Sequence, residues 1–97
     1  MFVLTEPSGK YAVYVEKNAV LKGWRQLESQ YPEPMKRCKA FLEKSPADTI
    51  NSAGKAKRLK GELKWLLQYD VTDSHRIRYW INQDTHSVYV EYAGPHP

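Results

Sequence analysis

Residues 65–82, WLLQYDVTDSHRIRYWIN, hold two strand-forming runs whose apolar side chains fall on odd numbers in both. Because side chains alternate faces along a strand, a shared phase of this kind marks the buried face directly. The first run has Trp65, Leu67, Tyr69 and Val71 in phase, with Lys64, Leu66, Gln68 and Asp70 on the other side. The second has Ile77, Tyr79 and Ile81 in phase, with Arg76, Arg78 and Trp80 opposed to them. If both face one core as a hairpin, directly opposed residues must sum to an even number. A loop of three residues, Asp73-Ser74-His75, meets that condition and predicts Thr72 opposite Arg76, Val71 opposite Ile77 and Asp70 opposite Arg78.

A third run, His86 to Tyr92, carries Val88 and Val90 on even numbers, so its pairing with the second run needs an odd sum. A two-residue turn at Asp84-Thr85 supplies it, and Asp favours turns by bonding its own backbone. The resulting register sets Ile81 against Val88, Trp80 against Tyr89 and Glu91 against Arg78. Arg78 is then expected between two carboxylates. Arg76 is expected to face Ala93 and the Gly94-Pro95-His96-Pro97 tail, with no acid directly opposite. One arginine reads as neutralised and the other as available.

Upstream, Lys10 to Glu16 alternates as a strand with Tyr11, Val13 and Val15 in one phase. Asn18 reads as an N-cap, opening a helix whose stripe is Val20, Trp24, Leu27 and Tyr31. Gly23 inside it lowers helix propensity. Pro32 disfavours helical backbone at the residue before it, and Pro34 suits the first turn of a second helix, with Met35, Cys38, Phe41 and Leu42 as its buried stripe. So short a joint predicts antiparallel helices. Residues 45–57 read as a surface loop with a basic end. Residues 1–9 form an extra edge strand or an extended arm, ended by a turn at Pro7 and Gly9. The order predicts an α+β domain over residues 1–97, with two antiparallel helices packed on one face of an antiparallel sheet of about four strands. The opposite face, with Arg76, Arg78, Trp80 and Tyr89, is left for solvent or a ligand.

The 97-residue length suits one domain. No apolar run approaches a membrane span, and no basic-then-apolar leader opens the chain, so the expectation is a cytoplasmic protein with no membrane partner. The single Cys38 agrees. It belongs to the core rather than to nucleophilic chemistry, because no histidine or acid is spaced to activate it. The net charge is +4, and residues 36–64 alone carry nine Lys or Arg against Glu43, Asp48 and Glu62. A basic stretch beside exposed aromatics is the footprint of a polyanion partner or, equally, a solvated surface. No histidine and acid pair has metal-ligand spacing, so neither metal nor cofactor is expected.

Three segments carry a family likeness: Arg58-Leu59-Lys60-Gly61, then Val71 to Tyr79 (VTDSHRIRY), then Glu91-Tyr92-Ala93-Gly94-Pro95-His96. Together with the element order they resemble the RelE/ParE superfamily of toxins from bacterial toxin-antitoxin pairs, and within it the RelE, YoeB and HigB ribosome-dependent mRNA endonucleases. The likeness spans about residues 10–97 and is weakest in the helices. It implies that Arg76, Lys60 and His96, with Tyr92 as a further candidate, act on the scissile phosphate. It also implies a cognate antitoxin, the ribosome and mRNA as partners. The chain departs from YoeB-like members in having Lys57 where they carry a glutamate, and Asp70 where they carry an arginine. A carboxylate base at that place is therefore unavailable, and the chemistry implied is the more basic RelE or HigB style.

Metal-free RNA cleavage of this type uses the adjacent 2′-hydroxyl as nucleophile. Guanidinium suits the phosphorane charge because its fork meets two phosphate oxygens at once. His96 is the expected general acid, since imidazole titrates near neutrality. Lys57 and Lys60 are candidate transition-state donors, while Lys55, Arg58 and Arg78 are expected to bind RNA phosphates. Trp80 and Tyr89 are expected to stack bases, to pair across strands, or to seat an apolar segment of an antitoxin. A different class stays open on the same fold: ParE-like members inhibit DNA gyrase by binding, and would not need the Arg76, Lys60 and His96 triplet.

Overall fold

The described residues form two helices and six strands. The computed structural model describes residues 2–4 and 9–97. In order the elements are β1 (Phe2–Val3), β2 (Ala12–Val15), α1 (Asn18–Gln30), α2 (Pro32–Lys44), β3 (Ala56–Arg58), β4 (Leu67–Thr72), β5 (His75–Asn82) and β6 (Ser87–Pro95), with a short 3-10 turn at Gly61–Leu63 before β4. The sheet runs β1-β2-β6-β5-β4-β3. Every neighbouring pair is antiparallel except β2 with β6, which is parallel. The expected sheet of about four antiparallel strands is therefore corrected to six strands and a mixed sheet. β3 lay inside the stretch read as loop, because three residues with only Ala56 buried carry no legible alternation. β1 takes the strand alternative for the N-terminus, while the turn expected at Pro7 lies outside the described residues.

The helical hairpin follows the proline logic. Tyr31, with ψ 65, is the single non-helical residue between α1 and α2, and Pro32 opens the second helix. Asn18 is the first helical residue, one place later than an N-cap. Trp24 and Leu27 from α1, and Met35, Cys38 and Leu42 from α2, pack on Val13, Tyr69, Ile77, Tyr79, Val88 and Val90. Phe41, Val20 and Tyr31 are half-buried at the margin of that core. Trp65 departs from its expected phase: it is 51 % exposed, because the 3-10 turn delays the start of β4 to Leu67.

The two hairpins need corrections of register. In β4–β5 the even sum survives, but the pairing is two residues tighter: Tyr69 faces Ile77, Asp70 faces Arg76 and Gln68 faces Arg78. The loop is Asp73-Ser74 rather than three residues, with Thr72 opposite His75 and an irregularity between Asp70 and Thr72 that restores parity. Thr72 closes this turn, since its Oγ1 accepts the Ser74 N–H at 3.1 Å and lies 2.8 Å from His75 Nδ1. In β5–β6 the expected pairs Trp80 with Tyr89 and Ile81 with Val88 are present. A bulge between Arg78 and Tyr79 then makes Glu91 the extra residue, so Arg78 opposes Tyr92 and Arg76 opposes Gly94. The β5–β6 loop has four residues, Gln83–His86, with Asp84-Thr85 at its centre. Asn82 Oδ1 accepts the N–H groups of Asp84 and Thr85 at 3.0 and 3.3 Å.

Candidate nucleic-acid interface

Residues directly opposed across a ladder share a face, so the registers fix what lies on the side away from the helices. One row crosses four strands: Lys57 on β3, Gln68 on β4, Arg78 on β5 and Tyr92 on β6. With strands about 4.8 Å apart, these side chains span about 15 Å. A second row, toward the β5–β6 loop, brings together Trp80, Tyr89 and Tyr14. Trp80 and Tyr89 stack with centroids 4.5 Å apart and planes 18° from parallel, and Tyr89 stacks on Tyr14 at 5.6 Å. The cross-strand pair expected for Trp80 and Tyr89 is thus a three-ring strip, reaching to β2. Trp80 Nε1 donates to Glu91 Oε2 at 3.4 Å, so the bulged carboxylate serves the indole.

The third row, toward the β4–β5 turn, is Asp70, Arg76 and Gly94. Asp70 Oδ1 lies 3.1 Å from Arg76 Nε, and the arginine side chain is 12 % exposed against 28 % for the aspartate. Arg76 Nη1 donates to Thr72 O at 2.7 Å and to His75 O at 3.2 Å. Nε itself is buried and has no aligned hydrogen bond, so the pairing with Asp70 is a charge contact rather than a bonded fork. Arg76 is therefore not the uncompensated arginine that the sequence register predicts. Arg78 is freer: among the described residues no carboxylate pairs with it, its Nε donates to Gln68 Oε1 at 3.0 Å, and its guanidinium carbon lies 6.0 Å from the centre of the Tyr92 ring. The reversal has two causes, the two-residue shift that moved Asp70 from Arg78 to Arg76 and the bulge that displaced Glu91 from Arg78.

The remaining candidates divide between the two ends of the sheet. His96 N–H donates to Ser74 O at 2.7 Å, which holds the tail beside the β4–β5 turn on the Arg76 side. The His96 imidazole is exposed, with Nδ1 2.8 Å from Pro97 O. Tyr92 turns its hydroxyl onto Pro95 O and so braces the same tail. Lys60 lies at the other end: Leu59 N–H donates to Leu66 O at 3.1 Å, which places the Lys60-Gly61 tip beyond the Trp80 row. Gly61 has φ 68, a left-handed backbone that suits glycine. Six residues of β-strand separate the two ends, about 20 Å, so Arg76 and His96 are gathered and Lys60 is not. Lys55, whose carbonyl accepts the Asp70 N–H at 2.8 Å, extends the basic edge of β3. Arg58, opposite Leu67, turns from the open face and donates to Lys64 O at 3.1 Å. Burial pushes the Cys38 thiol far above its usual range, in keeping with a core residue. Among the described residues no three His, Cys, Asp or Glu side chains gather as a metal site.

Gln68 and Tyr14 are the two members that sequence reasoning passed over. Gln68 had a signal, an even-numbered polar residue between two apolar neighbours in a central strand. Tyr14 had none, because its place beside Tyr89 follows from the parallel β2–β6 pairing.

No protein-family model and no curated protein matches the chain. Solved structures do match. The YoeB–YefM complex from Staphylococcus aureus superposes with a TM-score of 0.62 at 12% identity, over 92% of this chain and 100% of that one. The YoeB/ParE toxin from Agrobacterium tumefaciens gives 0.63 at 12% identity, over 88% and 98%. The toxin-antitoxin complex RelBE2 from Mycobacterium tuberculosis gives 0.55 at 16% identity, over 90% and 99%. This chain therefore shares the fold of these YoeB, ParE and RelE toxin structures.

Proposed function

We propose that the chain is the toxin of a toxin-antitoxin pair and that it cuts mRNA on the ribosome by metal-free transfer to the neighbouring 2′-oxygen. The observation that carries this reading is the row Lys57, Arg78 and Tyr92, two cations with no carboxylate partner among the described residues, beside an aromatic ring. The three-ring strip next to it supports the same reading, since single-stranded bases stack on exposed rings. Similarity of fold to chains solved with antitoxins supports a cognate antitoxin as the neutralising partner.

In this reaction the 2′-oxygen forms a bond to phosphorus and the bond from phosphorus to the 5′-oxygen breaks, leaving a 2′,3′-cyclic phosphate. Lys57 and Arg78 take the non-bridging oxygens. Arg76 joins them when a phosphate replaces Asp70 as its counter-ion. The proton lost by the 2′-hydroxyl passes to solvent, and His96 protonates the departing 5′-oxygen. Lys60 and Lys55 hold flanking phosphates, and Trp80 and Tyr89 stack the bases next to the cut.

A second reading has its own support. The Arg76–Asp70 contact and the separation of Lys60 from His96 fit a binder that needs no phosphate-cleaving cluster, as in a ParE-like inhibitor of DNA gyrase. Purified protein incubated with programmed ribosomes is expected to cleave mRNA in the A site. Arg78→Ala is expected to lower the rate at least about a hundredfold, the usual loss for one preorganised donor. Uncut mRNA together with inhibited gyrase supercoiling would reverse the choice.

A further inference from the structure

We propose that Gln68 is a positioning residue for Arg78, and that it presents the guanidinium's two Nη groups to the open face as a phosphate fork. This inference rests on the open face being the RNA-binding face. Gln68 is 4 % exposed, the most deeply buried polar side chain of that face. Both ends of its amide are engaged: Nε2 donates to Asp70 Oδ1 at 3.1 Å, and Oε1 accepts from Arg78 Nε at 3.0 Å.

The orientation follows from donor chemistry. A carboxylate only accepts and a guanidinium only donates, so an amide lying between them must point its NH2 at Asp70 and its oxygen at Arg78. The reversed amide would lose both bonds. Arg78 is thereby held through Nε, its inner nitrogen, while neither Nη group has a partner among the described residues. Arg76 is held the other way, with Nη1 spent on Thr72 O and His75 O. Asp70 and Gln68 together sort two arginines on one strand, one bonded through Nη1 to the hairpin backbone and one held through Nε. A fork already immobilised by a buried amide loses less freedom on meeting a phosphate than a free surface arginine.

The test uses the full chain and an RNA oligonucleotide with 2′-O-methyl riboses, which binds without being cut. Gln68→Met keeps the side-chain length and removes both hydrogen-bonding ends. It is expected to weaken RNA binding by about tenfold, the typical size for a hydrogen bond to a charged group. Arg78→Ala weakens it at least as much, and the double variant is no weaker than Arg78→Ala alone. Exchange of the Arg78 Nε–H with water, followed by NMR, is slow in the wild type and fast in Gln68→Met. Gln68→Asn, which keeps the amide but withdraws it by one methylene, gives the same comparison if the methionine variant does not fold. Losses that add in the double variant, or an Nε–H exchange rate that does not change, overturn the proposal. A wild type that binds no RNA overturns the reading of the face, and the exchange measurement then still decides whether Gln68 holds Arg78.

Discussion

Asp70 stands directly across the β4–β5 ladder from Arg76, 3.1 Å from its Nε, and its carboxylate is the more exposed of the two groups. A phosphate approaching Arg76 therefore also approaches an anion. Asp70→Asn keeps the shape and the acceptor for Gln68 but removes the charge. Fold stability is expected to drop by only about 1 kcal/mol, since the pair is partly exposed and Arg76 keeps its bonds to Thr72 O and His75 O. RNA binding is expected to tighten, and its salt dependence to steepen by about 0.7, the increment for one more neutralised phosphate on a single strand. Weaker binding would make Arg76 a brace of the hairpin and nothing more.

Gly23 decides a contest between helix propensity and packing. Alanine there would favour α1 by about 1 kcal/mol in isolation. A Cβ at this position would sit 2.1 Å from the carbonyl oxygen of Ala93, a backbone atom that cannot turn aside. Either α1 lifts from β6 or the strand shifts near the Arg76 row. Gly23→Ala is expected to cost more than about 3 kcal/mol in urea denaturation, beyond the usual range for overpacking.

That contest illustrates what the sequence could and could not disclose. The core was legible, since the odd-number phase of Leu67, Tyr69, Ile77 and Tyr79 and the helix stripes through Trp24, Leu27, Met35, Cys38 and Leu42 all reach the buried cluster. The open face was legible as a face but not as a set of pairs. Two irregularities, between Asp70 and Thr72 and between Arg78 and Tyr79, each move a ladder, and the second also exchanges the sides of Tyr92 and Ala93, since Tyr92 opposes Arg78 on the open face and Ala93 opposes Ile77 in the core. Alternation reveals the face up to a bulge, but neither parity nor partner identity beyond it. For that reason the arginine paired with Asp70 is the one the sequence left free. β3 and the parallel β2–β6 contact were invisible for a different reason, because neither is joined to its partner by a tight turn.

Base stacking and charge can be separated on the proposed RNA face. Tyr89 lies between Trp80 and Tyr14, so Tyr89→Ala interrupts the strip at its centre. Loss of one stacking ring is expected to weaken single-stranded RNA binding by about 1–3 kcal/mol without altering its salt dependence. Lys57→Ala is expected to do the converse, reducing the salt slope by about 0.7 with a milder loss at high salt. Titrations at several salt concentrations distinguish the two. Equal slopes for both variants would count against Lys57 as a phosphate contact.

Alkaline pH should expose the buried thiol. Burial raises the Cys38 pKa far above its ordinary value, and Tyr79, whose hydroxyl donates to Pro46 O at 2.6 Å, is raised by burial as well. In the unfolded chain the thiol ionises near pH 8.5 and a tyrosine near 10. Between those values and the raised folded ones, unfolding releases a proton that the folded protein keeps. Stability is therefore fully present below about pH 8.5 and falls as pH rises, by about 1.4 kcal/mol per unit for each such group. Cys38→Ala removes the thiol's share, so the stability difference between wild type and variant should be constant up to about pH 8.5 and shrink above it. The Tyr79 contribution remains in both and sets in near pH 10. Urea denaturation at intervals from pH 7 to 10 measures the difference directly, and a difference that stays constant over that range would mean that the Cys38 thiol ionises as readily in the folded core as in the open chain.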